Sequence, residues 1–243
     1  MSRQGEKARG QRIDSIETRA RIMAAAEKLF AEKDIDGVSL SEIHAEAGQR
    51  NRSAINYHFG SKEKIIAEII EKHEADIRQL LQAMLEAMDT TGKPGLRETI
   101  EAMVVIFANK LYDPDGGMAY IRLMAQLIGD PRFAVFERHL ELIERGTDLV
   151  SRITRSVLEA PGGKRTWLSR WIFLTGLMFH ALADYSKLAE TASDADLPSR
   201  KVFVQDLINA SAALLKLPLT PENIFCKTIE KYLIVEQQQA TSA

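Results

Sequence analysis

Cys226 is the only cysteine in a chain of 243 residues, so no intrachain disulfide and no cysteine-built zinc site can form. That scarcity suits a reducing cytoplasm, the expected location. Glycine (14 residues) and proline (7) are also sparse, which disfavours sandwiches and barrels full of tight turns. An excess of one charge is missing too. The 32 basic side chains face 34 acidic ones, which excludes a uniformly basic nucleic-acid coat protein but leaves room for a local basic patch. Long apolar runs are absent: the most apolar, Trp171–Ala183, has 13 residues and is interrupted by Thr175, Gly176 and His180. A spanning helix needs about 20, so this run reads as a buried helix and no membrane partner is expected. Met1–Arg12 is too polar for the apolar stretch of a secretory signal. What the chain does have is 45% hydrophobic residues, enough for a sizeable core in one or two domains.

Arg3, Lys7, Arg9 and Arg12 outweigh Glu6 at the amino terminus. This polar arm reads either as a solvated terminus or as a flexible basic arm reaching a nucleic-acid backbone or minor groove. From Ser15 the pattern becomes helical. Ile22, Ala26, Leu29 and Phe30 make one apolar stripe, and Gly37 stops it. Ser39 and Glu42 then have the spacing of a capping box, followed by the stripe Leu40, Ile43 and Ala47, which Gly48 ends. A third short segment, Asn51–Phe59, carries Ile55 and Phe59 four apart and is broken at Gly60-Ser61, where Ser61 can cap a long helix from Lys62 to about Met88.

Helical periodicity continues to the end. Further helices are expected over Leu96–Tyr112, Met118–Ile128, Pro131 to about Glu159, Arg165–Glu190, Ser199–Leu217 and Pro221 to about Glu236, with Asp113-Pro114-Asp115-Gly116-Gly117 as a loop. The fold expected is all-α: a three-helix head containing a helix-turn-helix, residues 1–64, on a larger helical body, residues 65–236, with a frayed tail at 237–243. Residues 1–64 hold 12 basic and 10 acidic side chains, a net of +2, and the remainder holds 20 and 24, a net of −4.

The second and third segments around Gly48 make a helix-turn-helix supported by the first. The major groove admits one α-helix, so a reader helix must be short and held from behind. Ile55 and Phe59 supply that support against Ile43 and Ile22. With Ile55 inward, Ser53 and Tyr57 point outward, and Ala54 and Asn56 lie on the flanks. Asn51 and Arg52 sit at the leading end, where a guanidinium can pair with guanine and a carboxamide with adenine. From these residues alone, an ordinary polar face on a surface helix is an equal alternative.

The stretch Thr18–Ile70 resembles the DNA-binding domain of the TetR family of bacterial transcriptional regulators. The matching positions are Ile22, Ala25, Ala26, Leu29, Phe30, Gly37, Ile43, Ala47-Gly48 and the block Tyr57-His58-Phe59-Gly60-Ser61-Lys62-Glu63. The resemblance implies major-groove contacts from Arg52, Ser53, Ala54, Asn56, Tyr57 and His58. It implies a phosphate grip by Lys62 at a helix amino terminus, and a backbone contact at Ser41. Where the family usually has an apolar residue soon after the Gly48 position, this chain has Gln49-Arg50-Asn51. Arg50 is then either a reader or a phosphate contact. The family resemblance also implies a body that binds an inducer or co-repressor, and a dimer formed by its last two helices.

In the body, Trp167, Trp171, Leu174, Met178 and Ala181 share one helix face, and Phe203, Leu207, Ala210 and Leu214 form a second stripe. These are either intramolecular core or half of a four-helix dimer interface, for which Trp167, Leu174, Met178, Phe203, Leu207, Ala210 and Leu214 are the candidates. Met103, Phe107, Tyr120, Met124, Phe133 and Phe136 are rich in sulfur and aromatic groups, more often core than ligand box, although such walls suit an adaptable apolar cavity. Met103, Phe107, Tyr120, Met124, Phe136, Trp171 and His180 are the candidate pocket for a small apolar or amphipathic effector. No GxxxxGK[ST], GxGxxG, HExxH or di-iron Glu-x-x-His pattern occurs, and the five histidines are scattered, so neither an enzyme nor a cofactor or metal is expected. The reading is a homodimeric regulator, a repressor, that binds palindromic double-stranded DNA. The alternative is a helical scaffold whose head does not bind DNA.

Overall fold

The computed structural model describes residues 3–48, 58–89, 95–130, 132, 163–193 and 196–217. Of residues 3–14, 85, 88, 89 and 163–168 it describes the backbone alone. Among the described residues there are seven α-helices and no strand. They are α1 (Arg3–Glu32), α2 (Leu40–Glu46), α3 (Lys62–Asp89), α4 (Leu96–Ala108), α5 (Gly117–Leu127), α6 (Gly163–Thr191) and α7 (Arg200–Lys216). Two 3-10 turns, Ile35–Gly37 and Asn109–Tyr112, follow α1 and α4. The expected helices beyond Arg132 and from Pro221, and the tail, lie outside the described residues.

The head forms because three short apolar faces have nowhere else to go. Ile22, Ala26, Leu29 and Phe30 of α1 meet Ile43 of α2, Phe59 and the first turns of α3, where Ile65, Ile66, Ile69 and Ile70 are all buried. The capping box is present: the Ser39 side chain accepts from the Glu42 amide, and Glu42 accepts from the Ser39 amide at 2.8 Å. Two of the donors that a helix start leaves unpaired are thereby satisfied.

The body wraps on the same core, with α5 at its centre. One side of α5 packs on α1 and the other on α6, while α7 packs on α4 and α6. Tyr120, Ile121, Leu123, Met124 and Leu127 of α5 are buried, as are Leu174, Met178, Phe179 and Leu182 of α6. Head and body therefore share one continuous apolar cluster. The boundary expected after residue 64 falls inside the first turn of α3, which starts in the head and ends in the body.

Polar groups pin the same joint. The Gln126 amide of α5 donates to Phe30 O at 2.6 Å and accepts from Ile35 N at 2.9 Å, so a body side chain caps the end of α1. Glu27 of α1 is buried, and its carboxylate meets Lys72 Nζ at 3.2 Å and the His73 ring. Lys72 also donates to Asp115 O at 2.9 Å. His73 stacks on Tyr120, with centroids 4.4 Å apart. Burial, then Glu74, pushes the Tyr120 phenol well above its ordinary range.

Three expectations need correction. The basic arm from Arg3 is helical backbone continuous with α1; once the downstream turns are fixed, each added residue gains a hydrogen bond without a new nucleation cost. The stripe assigned to dimerisation is mostly intramolecular core. Leu174, Met178 and Leu207 are buried, Leu214 is half-buried, and half-buried Phe203 stacks on Tyr185 at 4.2 Å. Ala210 of that set is exposed, and the Trp167 side chain lies outside the described residues. Third, His180, expected in the core or a pocket, is exposed on α6. Of the other residues of the expected effector pocket, Met103, Tyr120, Met124 and Trp171 are packed in the core, Phe107 packs edge-on against Phe179, and Phe136 lies outside the described residues.

Gly116 has φ +83°, and a Cβ there would land on the Glu27 carboxylate. Gly116→Ala thus imposes left-handed strain and a clash at the joint. A destabilisation of about 1–3 kcal/mol is expected, read as a lower midpoint in urea unfolding of the full chain.

Candidate nucleic-acid interface

The chain enters the expected reader segment at Gly48 and leaves it at His58, and both ends are built from the head core. Gly48, at φ +62°, follows the last residues of α2 in the left-handed conformation that suits glycine at a helix end. At the far end Phe59 is buried among Ile22 and Ile43, Gly60 turns at φ +80°, and Ser61 Oγ accepts from the Lys64 amide at 3.3 Å to open α3.

Arg19 of α1 fastens that far end, a role that no motif announced. Its guanidinium donates to His58 O at 3.0 Å, pairs with Glu68 of α3 at 2.5 Å and lies 4.8 Å over the Phe59 ring. One side chain thus ties α1, the exit of the reader segment and α3 together. A planar guanidinium suits this, because it can stack and donate along several edges at once. The signal was a cation on the core-adjacent flank of α1, legible only once Phe59 and Glu68 are known to lie beside it.

Of the expected DNA contacts, Arg50, Asn51, Arg52, Ser53, Ala54, Asn56 and Tyr57 lie outside the described residues. Ser41 is exposed on α2, and His58 is half-buried at the start of the turn. Lys62 is placed differently from the simple expectation. Its ammonium donates to Ile35 O at 2.7 Å and Val38 O at 3.1 Å, holding the link between α1 and α2. An ammonium has three donors, so a phosphate would take the third.

Exposed ion pairs brace α2 on α1. Lys28 meets Glu46 at 2.6 Å and Lys33 meets Glu42 at 2.9 Å. The Lys33 bond first, then the Ser39 amide and hydroxyl, hold the Glu42 carboxyl down to about 2. Its folded value lies below the ordinary glutamate value, so its help to α2 is complete above the ordinary value and is lost as pH falls through about 2. An NMR titration of the Glu42 carboxyl carbon should show its midpoint near 2, and Ser39→Ala should move that midpoint upward.

Residues 22–69 match the family model described as bacterial regulatory proteins, tetR family. The HTH-type transcriptional regulator AcrR of Shigella flexneri is 37% identical over 73 residues, covering 30% of this chain and 34% of that protein. That match thus spans about a third of AcrR's length. The HTH-type transcriptional regulator SrpR of Pseudomonas putida is 22% identical over 189 residues, covering 75% of this chain and 84% of SrpR. Among solved structures, NalD of Pseudomonas aeruginosa, described as the secondary repressor of the MexAB-OprM multidrug efflux pump, aligns with a TM-score of 0.50 and 22% identity. That alignment covers 81% of this chain and 96% of NalD, and the likeness is one of fold.

Proposed function

The head of this chain is a tetR-family amino-terminal domain, and from that premise we propose that the protein is a DNA-binding transcriptional regulator, a repressor, acting as a homodimer. The observation that carries this reading is the frame around residues 49–57. Gly48, Phe59 and the Arg19 clasp hold both ends of a short polar segment against a rigid core, as a reader helix requires. Asn51, Arg52, Ser53, Ala54, Asn56, Tyr57 and His58 are its proposed major-groove residues. Ser41 and the third donor of Lys62 are its proposed contacts to the DNA backbone, and Arg50 is either a reader or a phosphate contact.

A palindrome demands two heads, and a second copy is proposed to meet this one through the outer faces of α6 and α7. There Ile172 and Phe173 of α6 are 54% and 60% exposed, near the end of α6 that Arg170 ties to Leu215, and Val202 of α7 is 51% exposed near the other end. Large exposed apolar groups suit a partner surface better than water. The body is proposed to answer to a small amphipathic molecule. The joint supports this: a change between α3 and α5 reaches α1 through Glu27, Gln126 and their shared core. Among the described residues, no helix is long and apolar enough to cross a membrane.

Selection of bound fragments from random DNA should return an inverted repeat with half-sites about one helical turn apart. Arg52→Ala and Tyr57→Ala should each weaken binding to it by about tenfold or more while sedimentation still reports a dimer. If no fragment is selected, the head does not read DNA and the scaffold alternative stands; if both variants bind like the wild type, Arg52 and Tyr57 are not its readers. Lys62→Gln should weaken selected and random DNA alike and lower the salt slope by about one. An unchanged slope would leave Lys62 with only its bonds to Ile35 and Val38.

A further inference from the structure

The turn that links α1 to α2 is gripped from three sides. Ile35 N donates to the Gln126 side chain of α5 at 2.9 Å. Lys62, which opens α3, donates to Ile35 O at 2.7 Å and to Val38 O at 3.1 Å. In sequence between those two carbonyls stands Asp36, and its carboxylate is held by Arg132. Nη1 of the guanidinium donates to Oδ1 at 2.7 Å and Nη2 to Oδ2 at 3.2 Å, a two-pronged pair. The same guanidinium turns its Nε on Asp130, 3.0 Å from each carboxylate oxygen, and Asp130 Oδ1 also accepts from the Arg132 amide at 2.9 Å. Asp130 thereby fixes the direction in which the fork points.

The pair has little to offer stability, because the Arg132 and Asp36 side chains are 51% and 70% exposed and ion pairs in water contribute little. Its position says more. Asp36 belongs to the turn that Lys62 holds, so it is a carboxylate beside the very ammonium whose third donor is proposed to meet phosphate. The Arg132 bond foremost, with the Lys62 charge behind it, keeps the Asp36 carboxyl below its ordinary value. Left unpaired, Asp36 would work against DNA in two ways. Its charge would repel a phosphate, and its oxygens would compete with that phosphate for the remaining donor of Lys62. We propose that Arg132 is a positioning residue for the DNA-backbone contact: by occupying both oxygens of Asp36, it leaves the third donor of Lys62 to a phosphate.

This role requires no contact between Arg132 and DNA. It gives the two partners opposite signs, because Asp36 harms binding only when uncovered and Arg132 helps only by covering it. A plain brace between the link and the body would behave otherwise, since losing either partner breaks a brace equally. A guanidinium that touched phosphate itself would differ again, since removing Asp36 could not replace it. The proposal rests on the regulator reading above, and on Lys62 meeting phosphate. The covering of Asp36 by Arg132 does not.

The test is a double-mutant cycle on the full chain, read by fluorescence anisotropy with selected and random duplexes. At about 0.05 M salt Arg132→Gln should weaken both duplexes about threefold, and the loss should fade at about 0.5 M, where charges are screened within about 4 Å. Asp36→Asn should bind at least as tightly as the wild type. The double variant, Asp36→Asn with Arg132→Gln, should return to the wild-type affinity, and all three should unfold near the wild-type midpoint. Asp36→Asn weakening DNA as much as Arg132→Gln overturns the proposal in favour of a brace. A double variant as weak as Arg132→Gln overturns it in favour of a direct contact from Arg132, and an unchanged affinity of Arg132→Gln overturns it outright. An NMR titration of the Asp36 carboxyl carbon needs no DNA: Arg132→Gln should raise its midpoint, and an unmoved midpoint overturns the covering. If no DNA sequence is ever selected, the regulator reading fails while that titration still judges the pair.

Discussion

A carboxylate taken out of water must find partners, and the molecule is organised around one that has. Glu27 sits on the face of α1 that turns toward the body, buried with Lys72 and His73 of α3 against it. Removing one partner from a buried ionic pair typically costs roughly 3–5 kcal/mol, because the remaining charge is stranded. The arrangement therefore fixes more than stability. It permits one rotation of α1 about its axis, demands the bare backbone of Gly116 beside the carboxylate, and draws the Asp113–Asp115 loop inward through Lys72. The Gln126 cap and the shared apolar cluster make the same constraint from the α5 side.

This explains why head and body form a coupled object and not two beads on a string. A helix-turn-helix can be supported by its own three-helix core, yet here the first helix spends its second face on α5. Both α3 and α5 pack directly on α1. The long α3 belongs to both, since its first turns lie in the head core and its later turns in the body.

Much of the head was legible in the residues because its signals are local. Ser39 and Glu42 are three apart, and the hydrogen bonds they make span one turn, so spacing alone implies the box. Gly48 and Gly60 both adopt positive φ where breaks in the pattern placed them. The loop at 113–117 and the helices on either side fell within a few residues of their expected limits. The body's stripes were visible too, but their destination was not. A row such as Leu174, Met178 and Leu207 states that a face is apolar, and that face serves a neighbour in the same chain as readily as a second copy. The misplacement of His180 has the same origin, since an apolar run does not say which residue on its circumference meets water.

By itself the amino-acid sequence determined the helical class, most limits of the described helices, the caps and turns, and the match of residues 22–69 to the tetR-family model. Each of these depends on contacts within a turn or two of chain, where spacing and geometry are nearly the same thing. Only the tertiary structure decided that Arg19 clasps His58 and Phe59, that Lys62 holds two carbonyls, that Gln126 caps a helix about ninety residues away, and that Glu27 is the buried keystone of the joint. Those partners are distant in sequence, and a long side chain reaches any of several neighbours until packing of the apolar faces selects one.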